Sequence, residues 1–373
     1  MSTVTDLPAV ADAEGPGGDP RTGLPVFDTD VHEAFKNFDE LIPYLEEPWR
    51  TVMRQSSFKG MNPPYVKWAS GGGGRADSRP AAGGPPGSDY DLMREQLLDF
   101  YNIRKAVLTG YFYPVAMDNM QVELASALAA AYNDYQLEHW LEKDDRLIGS
   151  IQIAPQDPEG AAREIDRLGQ HPRFGQVMMA TSTRAFGEPQ YHPIYAAAER
   201  NDINIAFHHS TYVQSACGMG RYYIERHMYI PQAMMSQLIS LLCNGVFDKF
   251  PKLRFMALEG GWTWLPHVLW RMDREYKSLR QEVPWVKKMP SRYFVEDERV
   301  LFSTQPTEDL TADEWLKMQE LIGSENLLCF ATDYPHFDFD SPVRSLPARL
   351  PEELKRKILF DTAAGFYGAR SGL

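Results

Sequence analysis

Two carboxylates and an imidazole alternate near the start of the chain. Asp28, Asp30 and His32 occupy every second position of the run 26–32. Because alternate residues of a β-strand point to the same face, these three side chains would share a face if the run is a strand. Such a face could supply part of a metal site. Asp near His also occurs in surface turns and ordinary hydrogen-bonded pairs, so the run alone leaves both interpretations open.

Apolar runs later in the chain lead into His208, Glu259 and Asp333. A single histidine or acid at the end of such a run would be unremarkable. If the runs are strands of one parallel barrel, however, their carboxyl ends meet at the face that carries catalytic groups. Stability alone would not gather desolvated charges around one mouth. The pattern therefore indicates a functional site.

The same runs belong to a regular alternation of strand and helix patterns. Strands are predicted at 26–32, 106–109, 147–153, 176–180, 203–208, 253–259, 300–303 and 327–332. Helices are predicted at 92–100, 120–141, 158–168, 192–199, 231–242, 264–277, 312–321 and 352–360. Short apolar strands alternating with helices are typical of an α/β protein with a covered parallel sheet. Eight such units, with no Gly-x-Gly-x-x-Gly after the first strand, predict a (β/α)8 TIM barrel rather than a dinucleotide-binding sheet.

A long Gly/Pro-rich insertion follows the first strand, with glycines at 71–74 and Gly/Pro residues at 83–87. We expect it to cover the carboxyl end of that strand, and a disordered surface insertion is the alternative. Residues 1–24 lack the basic and apolar regions of a secretory signal and are predicted to be a disordered tail. The expected organisation is this tail followed by one catalytic barrel over residues 25–373.

Composition excludes several classes of partner. The 373 residues are 43% hydrophobic, and no apolar run of the roughly eighteen residues needed to span a bilayer occurs. The formal net charge of −13 argues against general affinity for nucleic acids or anionic membranes. The three cysteines, Cys217, Cys243 and Cys329, show none of the close spacings of zinc or redox motifs. A cytoplasmic protein with reduced thiols and a small-molecule substrate is expected.

The types of candidate ligand also limit which metal ion could bind. Imidazole nitrogens and carboxylate oxygens without thiolates suit zinc with an open coordination position, and a carboxylate-richer set also accommodates manganese or iron. Zinc is the first prediction and manganese the second. Such an ion can lower the pKa of a bound water from about 15.7 to about 7. That change is worth roughly 12 kcal/mol, more than any side chain here could supply.

Four motifs in this order resemble the amidohydrolase-related family: Asp28-Thr29-Asp30-Val31-His32, Phe207-His208-His209, Glu259-Gly260-Gly261-Trp262 and Thr332-Asp333-Tyr334-Pro335-His336. The best-understood members of that family are metal-dependent decarboxylases of aminocarboxymuconate semialdehyde and of hydroxylated benzoates. The resemblance spans about Pro25 to the carboxyl terminus and implies a distorted (β/α)8 barrel and a homodimer. It also implies metal ligation by Asp30, His32, His208 and Asp333.

Two positions depart from the family pattern. Asp30 stands where the decarboxylases often have His or Glu, so its shorter side chain could ligate the metal or lie behind a ligand. Glu259 stands where they have a histidine that serves as acid or base. Burial after an apolar run could keep Glu259 protonated for the same task, and a structural hydrogen-bonding role is the alternative.

The resemblance implies an enzyme that removes carbon dioxide from a small carboxylated aromatic or unsaturated substrate. Glu259 or a metal-bound water would protonate the ring carbon. The alternative reaction is hydrolysis of an amide, ester or lactone, with Asp333 accepting a proton from metal-bound water. A metal-free barrel that binds a ligand or catalyses isomerisation or cyclisation is the third interpretation, kept open by Asp30 and Glu259.

Three more residues are candidates for substrate binding. Arg184 follows the fourth strand, while Arg221 and His227 lie in the aromatic segment 221–229, which is expected to hang over the site as a loop. A guanidinium binds a carboxylate bidentately, although a solvated surface position is the alternative for both arginines. If the fifth strand continues through His209, that side chain is expected to point away from the site and to pack structurally.

Overall fold

Eight parallel strands follow one another in chain order around one sheet. This computed structural model describes residues 23–56, 74–110, 121–180, 184–210, 215–218 and 220–373. The strands are β1 (Val26–Val31), β2 (Ile103–Leu108), β3 (Leu147–Gln152), β4 (Phe174–Ala180), β5 (Asn204–His208), β6 (Phe255–Ala257), β7 (Val300–Ser303) and β8 (Leu328–Cys329). With helices between the strands, this is the predicted (β/α)8 TIM barrel, which is confirmed.

Helices connect the strands on the outside of the barrel. They are α1 (Trp49–Gln55), α2 (Tyr90–Met93), α3 (Val122–Gln136), α4 (Pro158–Leu168), α5 (His192–Arg200), α6 (Tyr223–Cys243), α7 (Val246–Lys249), α8 (Leu265–Leu279), α9 (Pro290–Val295), α10 (Ala312–Ile322), α11 (Glu352–Arg356) and α12 (Thr362–Tyr367). Short π-helical segments extend three of them: Arg94–Asp99, Leu137–Leu141 and Lys357–Asp361. No helix among the described residues is both long and apolar enough to cross a membrane.

The strands are buried on both faces, which explains their nearly continuous apolar sequences. Every residue of β1, β3, β4 and β7 is buried. Outside β1, the ring of Phe27 stacks on that of Tyr367, with centroids 5.3 Å apart. The carboxyl-terminal helix α12 therefore covers the first strand.

The barrel closes between β1 and the segment that follows β8. The backbone N–H of Thr29 donates to the carbonyl of Phe330 at 3.0 Å, and that of Asp333 donates to the carbonyl of Asp30 at 3.1 Å. The carboxylate of Asp28 accepts hydrogen bonds from the Thr332 N–H (3.0 Å) and hydroxyl (2.5 Å). Asp28 thus joins the two ends of the sheet.

Two of the differences from the predicted element boundaries affect the site. Strand β6 ends at Ala257, two residues before Glu259, which adopts a left-handed conformation with φ of 49°. Helix α6 begins at Tyr223 rather than Pro231, because the Glu225 carboxylate accepts hydrogen bonds from the backbone N–H groups of Arg221 and Tyr222, both at 2.7 Å, and so caps the start of the helix. Most of the segment 221–229, predicted to be a loop, is therefore helical, and Pro231 lies inside the helix.

The described part of the Gly/Pro-rich insertion lies against the carboxyl end of β1. The N–H of Ala34 donates to the carbonyl of Gly87 at 2.9 Å, and that of Arg75 donates to Pro335 at 2.7 Å. Gly87 has φ of 78°, and a Cβ there would come within 2.4 Å of the His32 carbonyl oxygen. This agrees with the predicted cover over the first strand. Residues 57–73 of the insertion and 1–22 of the predicted tail lie outside the described residues.

Candidate metal centre

Strand β1 and the residue after it present Asp30 and His32 to the mouth of the barrel, and the end of β2 orients both side chains. The Nδ1 atom of His32 lies 2.8 Å from the carbonyl oxygen of Gly110. Because a carbonyl only accepts, Nδ1 carries the hydrogen, and Nε2 is the atom available as a ligand. The Thr109 hydroxyl donates to Oδ1 of Asp30 at 2.7 Å. Within the described residues the buried Oδ2 of Asp30 makes no hydrogen bond.

His208, the last residue of β5, is oriented in the same way. Its Nδ1 lies 2.7 Å from the carbonyl oxygen of His209, so Nδ1 is the donor and Nε2 faces the mouth. That Nε2 is 3.8 Å from Oδ2 of Asp30 and 2.8 Å from Oε2 of Glu259. Backbone carbonyls therefore set the ligating nitrogen of both histidines, as is usual for metal-binding imidazoles.

Glu259 and Asp333 both follow short strands and both have left-handed backbones, with φ of 49° and 57°. This conformation is uncommon for residues other than glycine, and it clusters at functional sites. Asp333 Oδ1 lies 2.9 Å from Nε2 of His32 and 2.6 Å from Nδ1 of His336. The amide of Gln305 donates to its Oδ2 at 3.2 Å.

Six residues form two overlapping groups of potential ligands. One group comprises Asp30, His32, His208 and Glu259, and the other comprises His32, Glu259, Asp333 and His336. Within each group the ligand atoms all lie within 4.8 Å of one another. Metal–ligand bonds of about 2.0–2.2 Å place ligand atoms at most about 4.4 Å apart, so a small contraction would enclose an ion. With three imidazoles, three carboxylates and no thiolate, the group fits a hard or borderline divalent cation.

Electrostatics support the same conclusion, because the buried acids and imidazoles compete for protons. Burial by itself would lower the pKa of His32, but Asp30 and Asp333 raise it to about 10. Burial and the negative charge of Glu259 hold the pKa of Asp333 well above its usual range. Burial and the positive charge of His32 lower the pKa of His336 to about 4. A cation at the centre would replace the shared protons and relieve the repulsion between the carboxylates.

The expectation that burial keeps Glu259 protonated is wrong for this arrangement. Burial does oppose ionisation, but the charges and hydrogen bonds of His209 and His208 outweigh it and hold the Glu259 pKa well below its usual range. Both histidines lie within 2.8 Å of the carboxylate. Glu259 is therefore a carboxylate here.

The expected outward orientation of His209 is also wrong. Strand β5 ends at His208, so the alternation of side chains does not continue to His209. Its Nε2 instead lies 2.7 Å from Oε1 of Glu259, and its Nδ1 lies 2.9 Å from the guanidinium of Arg226. Asp28 is expected on the same face as Asp30. Its carboxylate instead accepts a hydrogen bond from Thr332 where the barrel closes, and Asp28 belongs to neither ligand group.

The predicted substrate residues fall in different places. Arg184 and Arg221 are exposed, and the Arg221 guanidinium lies 5.6 Å from the ring centroid of Tyr222. His227, on α6, packs its ring 4.7 Å from that of Tyr223 and 5.8 Å from that of Phe337. It therefore stands beside the loop that carries His336.

Sequence reasoning missed several residues of the site. Arg226 is 6% exposed and contacts His209, whereas the arginines singled out from the sequence are at the surface. Tyr223 and Phe337 form an aromatic wall with His227, and Thr109 orients Asp30. Helical spacing was the available signal, because Tyr223 and His227 are four residues apart and share a helix face.

Comparisons with known proteins agree with this geometry. The family model described as amidohydrolase matches residues 28–369. The gamma-resorcylate decarboxylase of Rhodococcus jostii (strain RHA1) is 26% identical over 289 residues, covering 68% of this chain and 83% of that protein.

Two solved structures share the fold. A 5-carboxyvanillate decarboxylase from Novosphingobium aromaticivorans, complexed with manganese and 4-hydroxy-3-methoxy-5-nitrobenzoic acid, is 22% identical with a TM-score of 0.63, over 92% of this chain and 96% of that one. A dihydroxybenzoic acid decarboxylase from Polaromonas sp. JS666, with bound manganese and 2-nitroresorcinol, is 18% identical with a TM-score of 0.63, over 92% and 97%. At these identities the likeness establishes the fold alone.

Proposed function

This chain belongs to the amidohydrolase family, and on that premise we propose that it is a metal-dependent, non-oxidative decarboxylase of a small hydroxylated aromatic carboxylate. The observation that carries the proposal is the buried convergence of Asp30, His32, His208, Glu259 and Asp333 at the mouth of the barrel. The sequence similarity to gamma-resorcylate decarboxylases supports the choice of reaction.

The proposed cofactor is one divalent cation. Asp30, His32, His208 and Asp333 are the proposed ligands, with the imidazoles binding through Nε2. Residue types make zinc the first choice, but the three carboxylates that the two overlapping ligand groups contain together also favour a cation that prefers oxygen, such as manganese. Manganese in the two solved decarboxylases supports the second choice. When bound, the cation would act as a Lewis acid on the substrate's carboxylate or an adjacent hydroxyl oxygen.

The protein's own residues would position the substrate and handle the proton. Tyr223, His227 and Phe337 offer an aromatic wall against which a planar ring could pack. Asp333 is the candidate for delivering a proton to the ring carbon as carbon dioxide leaves, because burial and the negative charge of Glu259 hold its pKa well above the usual range. His336, 2.6 Å from Asp333 and at the rim of the site, would pass protons between Asp333 and solvent.

The proposal is tested by following both products in labelled solvent. Protein stripped of metal and reloaded with Mn²⁺ or Zn²⁺ is incubated with hydroxybenzoates carrying a ¹³C carboxyl group in D₂O. Decarboxylation releases ¹³CO₂ and leaves deuterium on the ring carbon. Oxygen from H₂¹⁸O appearing in the product of amide, ester or lactone substrates, without carbon dioxide release, would instead identify a hydrolase.

Metal content of the purified protein distinguishes the metal enzyme from the metal-free alternative. Less than about 0.2 equivalents after supplementation with zinc or manganese would contradict the proposal, since the Lewis acid is essential to it. A homodimer and a cytoplasmic location stay predictions, and size-exclusion chromatography with light scattering measures the first.

A further inference from the structure

We infer that Glu259 is itself a metal ligand, held in its ligating orientation by a hydrogen-bonded chain from Arg226 through His209. The inference rests on the metal site of the proposed function and changes the role of Glu259 within it. Arg226 and His209 are positioning residues, because neither belongs to the groups of potential ligands.

The position of Oε2 of Glu259 favours ligation. This oxygen is buried, and within the described part of the chain the His208 imidazole is the one group placed to donate to it. It lies 2.8 Å from Nε2 of His208, the atom that the His209 carbonyl leaves available for a metal. Once Nε2 of His208 ligates a metal it can no longer donate to this oxygen, and a buried carboxylate oxygen without a donor is costly unless the cation binds it as well.

The other oxygen of the carboxylate is already occupied. Oε1 lies 2.7 Å from Nε2 of His209, whose Nδ1 lies 2.9 Å from a guanidinium nitrogen of Arg226. Because a carboxylate oxygen only accepts, Nε2 is the donor. In the neutral imidazole Nδ1 is then the acceptor from Arg226, and its 3.2 Å approach to the Ser210 carbonyl oxygen is not a hydrogen bond. The chain Arg226–His209–Glu259 thus ties down Oε1 and leaves Oε2 directed at the ligand group.

The backbone of Glu259 is fixed independently. Its N–H donates to the hydroxyl of Ser303, at the end of β7, at 2.9 Å, and its φ is 49°. A left-handed residue at a strand end costs free energy that the surrounding contacts must offset. Hydrogen-bond partners that orient a metal ligand typically raise metal affinity 10–100-fold, so the chain should be measurable in metal binding.

The test measures metal affinity of otherwise intact protein, so it does not depend on activity. Chelator-stripped protein is titrated with Mn²⁺ and Zn²⁺ in competition with a chromophoric chelator. Glu259→Gln removes the charge of the ligand, and His209→Phe removes the donor to Oε1. His209→Gln keeps an N–H that can reach the same oxygen. Arg271→Gln, on the exposed face of α8, is the matched control for Arg226→Gln.

The expected order of affinities is specific. His209→Phe and Arg226→Gln should bind Mn²⁺ about 10–100-fold more weakly than the wild-type protein, and His209→Gln and Arg271→Gln should stay within about threefold. Glu259→Gln should lose more affinity than His209→Phe. In Co²⁺-loaded protein it should also change the visible absorption bands, because these depend on coordination number.

Each contrary result would contradict one component of the inference. Wild-type affinity and an unchanged Co²⁺ spectrum in Glu259→Gln would show that Glu259 is not a ligand. Equal affinities of His209→Phe and His209→Gln would remove His209 from the chain. A sharp fall in the metal-free melting temperature of a variant would mean that its lower affinity could come from a loss of folding. In that case the Co²⁺ spectrum of Glu259→Gln decides whether Glu259 is a ligand. A wild-type protein that binds no metal would instead defeat the proposed function.

Discussion

The hydroxyl of Thr109 donates to Oδ1 of Asp30 at 2.7 Å, across the pairing of β1 with β2. This hydrogen bond occupies one oxygen of the carboxylate and leaves Oδ2 facing His208 at 3.8 Å. From the sequence alone, Asp30 could either ligate the metal or lie behind a ligand, and the metal-free alternative depends on which is true. Its orientation supports a role as ligand, despite a side chain shorter than that of Glu.

Replacing Thr109 by Val should weaken metal binding about tenfold, because Val keeps the shape of the side chain but cannot orient Asp30. Thr29→Val is the matched control, since the Thr29 hydroxyl donates to Phe330 at 2.8 Å on the opposite face of β1. The control should lose about 1 kcal/mol of unfolding free energy and no metal affinity. Equal metal affinities for the two variants would contradict the role of Thr109.

His208→Ala should abolish metal binding and catalysis together. Metal present at 100 times its dissociation constant stabilises a folded protein by about 2.7 kcal/mol, so adding EDTA should lower the wild-type melting temperature and leave that of the variant unchanged. His267→Ala, at an exposed position on α8, should behave like the wild-type protein. An active, metal-free His208→Ala protein would refute the ligand assignment.

Phe337→Ala should raise KM for an aromatic substrate about five- to tenfold and change kcat by less than about twofold. One aromatic contact is worth about 0.5–1.5 kcal/mol, and a wall that binds ground state and transition state equally affects KM alone. Val343→Ala serves as the control, because Val343 is 43% exposed and Phe337 is 44% exposed. Steady-state kinetics distinguish the two, and an unchanged KM in Phe337→Ala would remove that residue from the pocket.

The effect of Asp340→Asn on the melting temperature should depend on pH. Burial raises the pKa of Asp340 to about 6, with Glu308 adding to the shift and the Thr307 N–H at 2.9 Å opposing it. The unfolded chain ionises this group near pH 4, so the folded state keeps the proton longer and the unfolding free energy falls as pH rises from about 4 to 6. The melting temperature of the variant relative to wild type should therefore rise over this interval. A constant difference would contradict the shift.

Much of the barrel follows from local sequence. Helix α4 and strand β7 have the predicted bounds, 158–168 and 300–303, because their periodicity and flanking residues are unambiguous. The ends of β6 and β8 were predicted too late. Residues there leave the hydrogen-bonded ladder for left-handed conformations at Glu259 and Asp333, which an apolar run does not reveal.

The sequence by itself determined which strand ends carry acids and histidines, since alternation, apolar runs and parallel connection are local properties that a barrel converts into one mouth. Only the tertiary structure decided how those side chains are used. Whether His209 faces inward depends on where β5 ends, and the choice of Arg226 over Arg221 depends on where α6 begins. Both outcomes arise from contacts between elements distant in sequence, such as the 2.7 Å contact of His209 with Glu259.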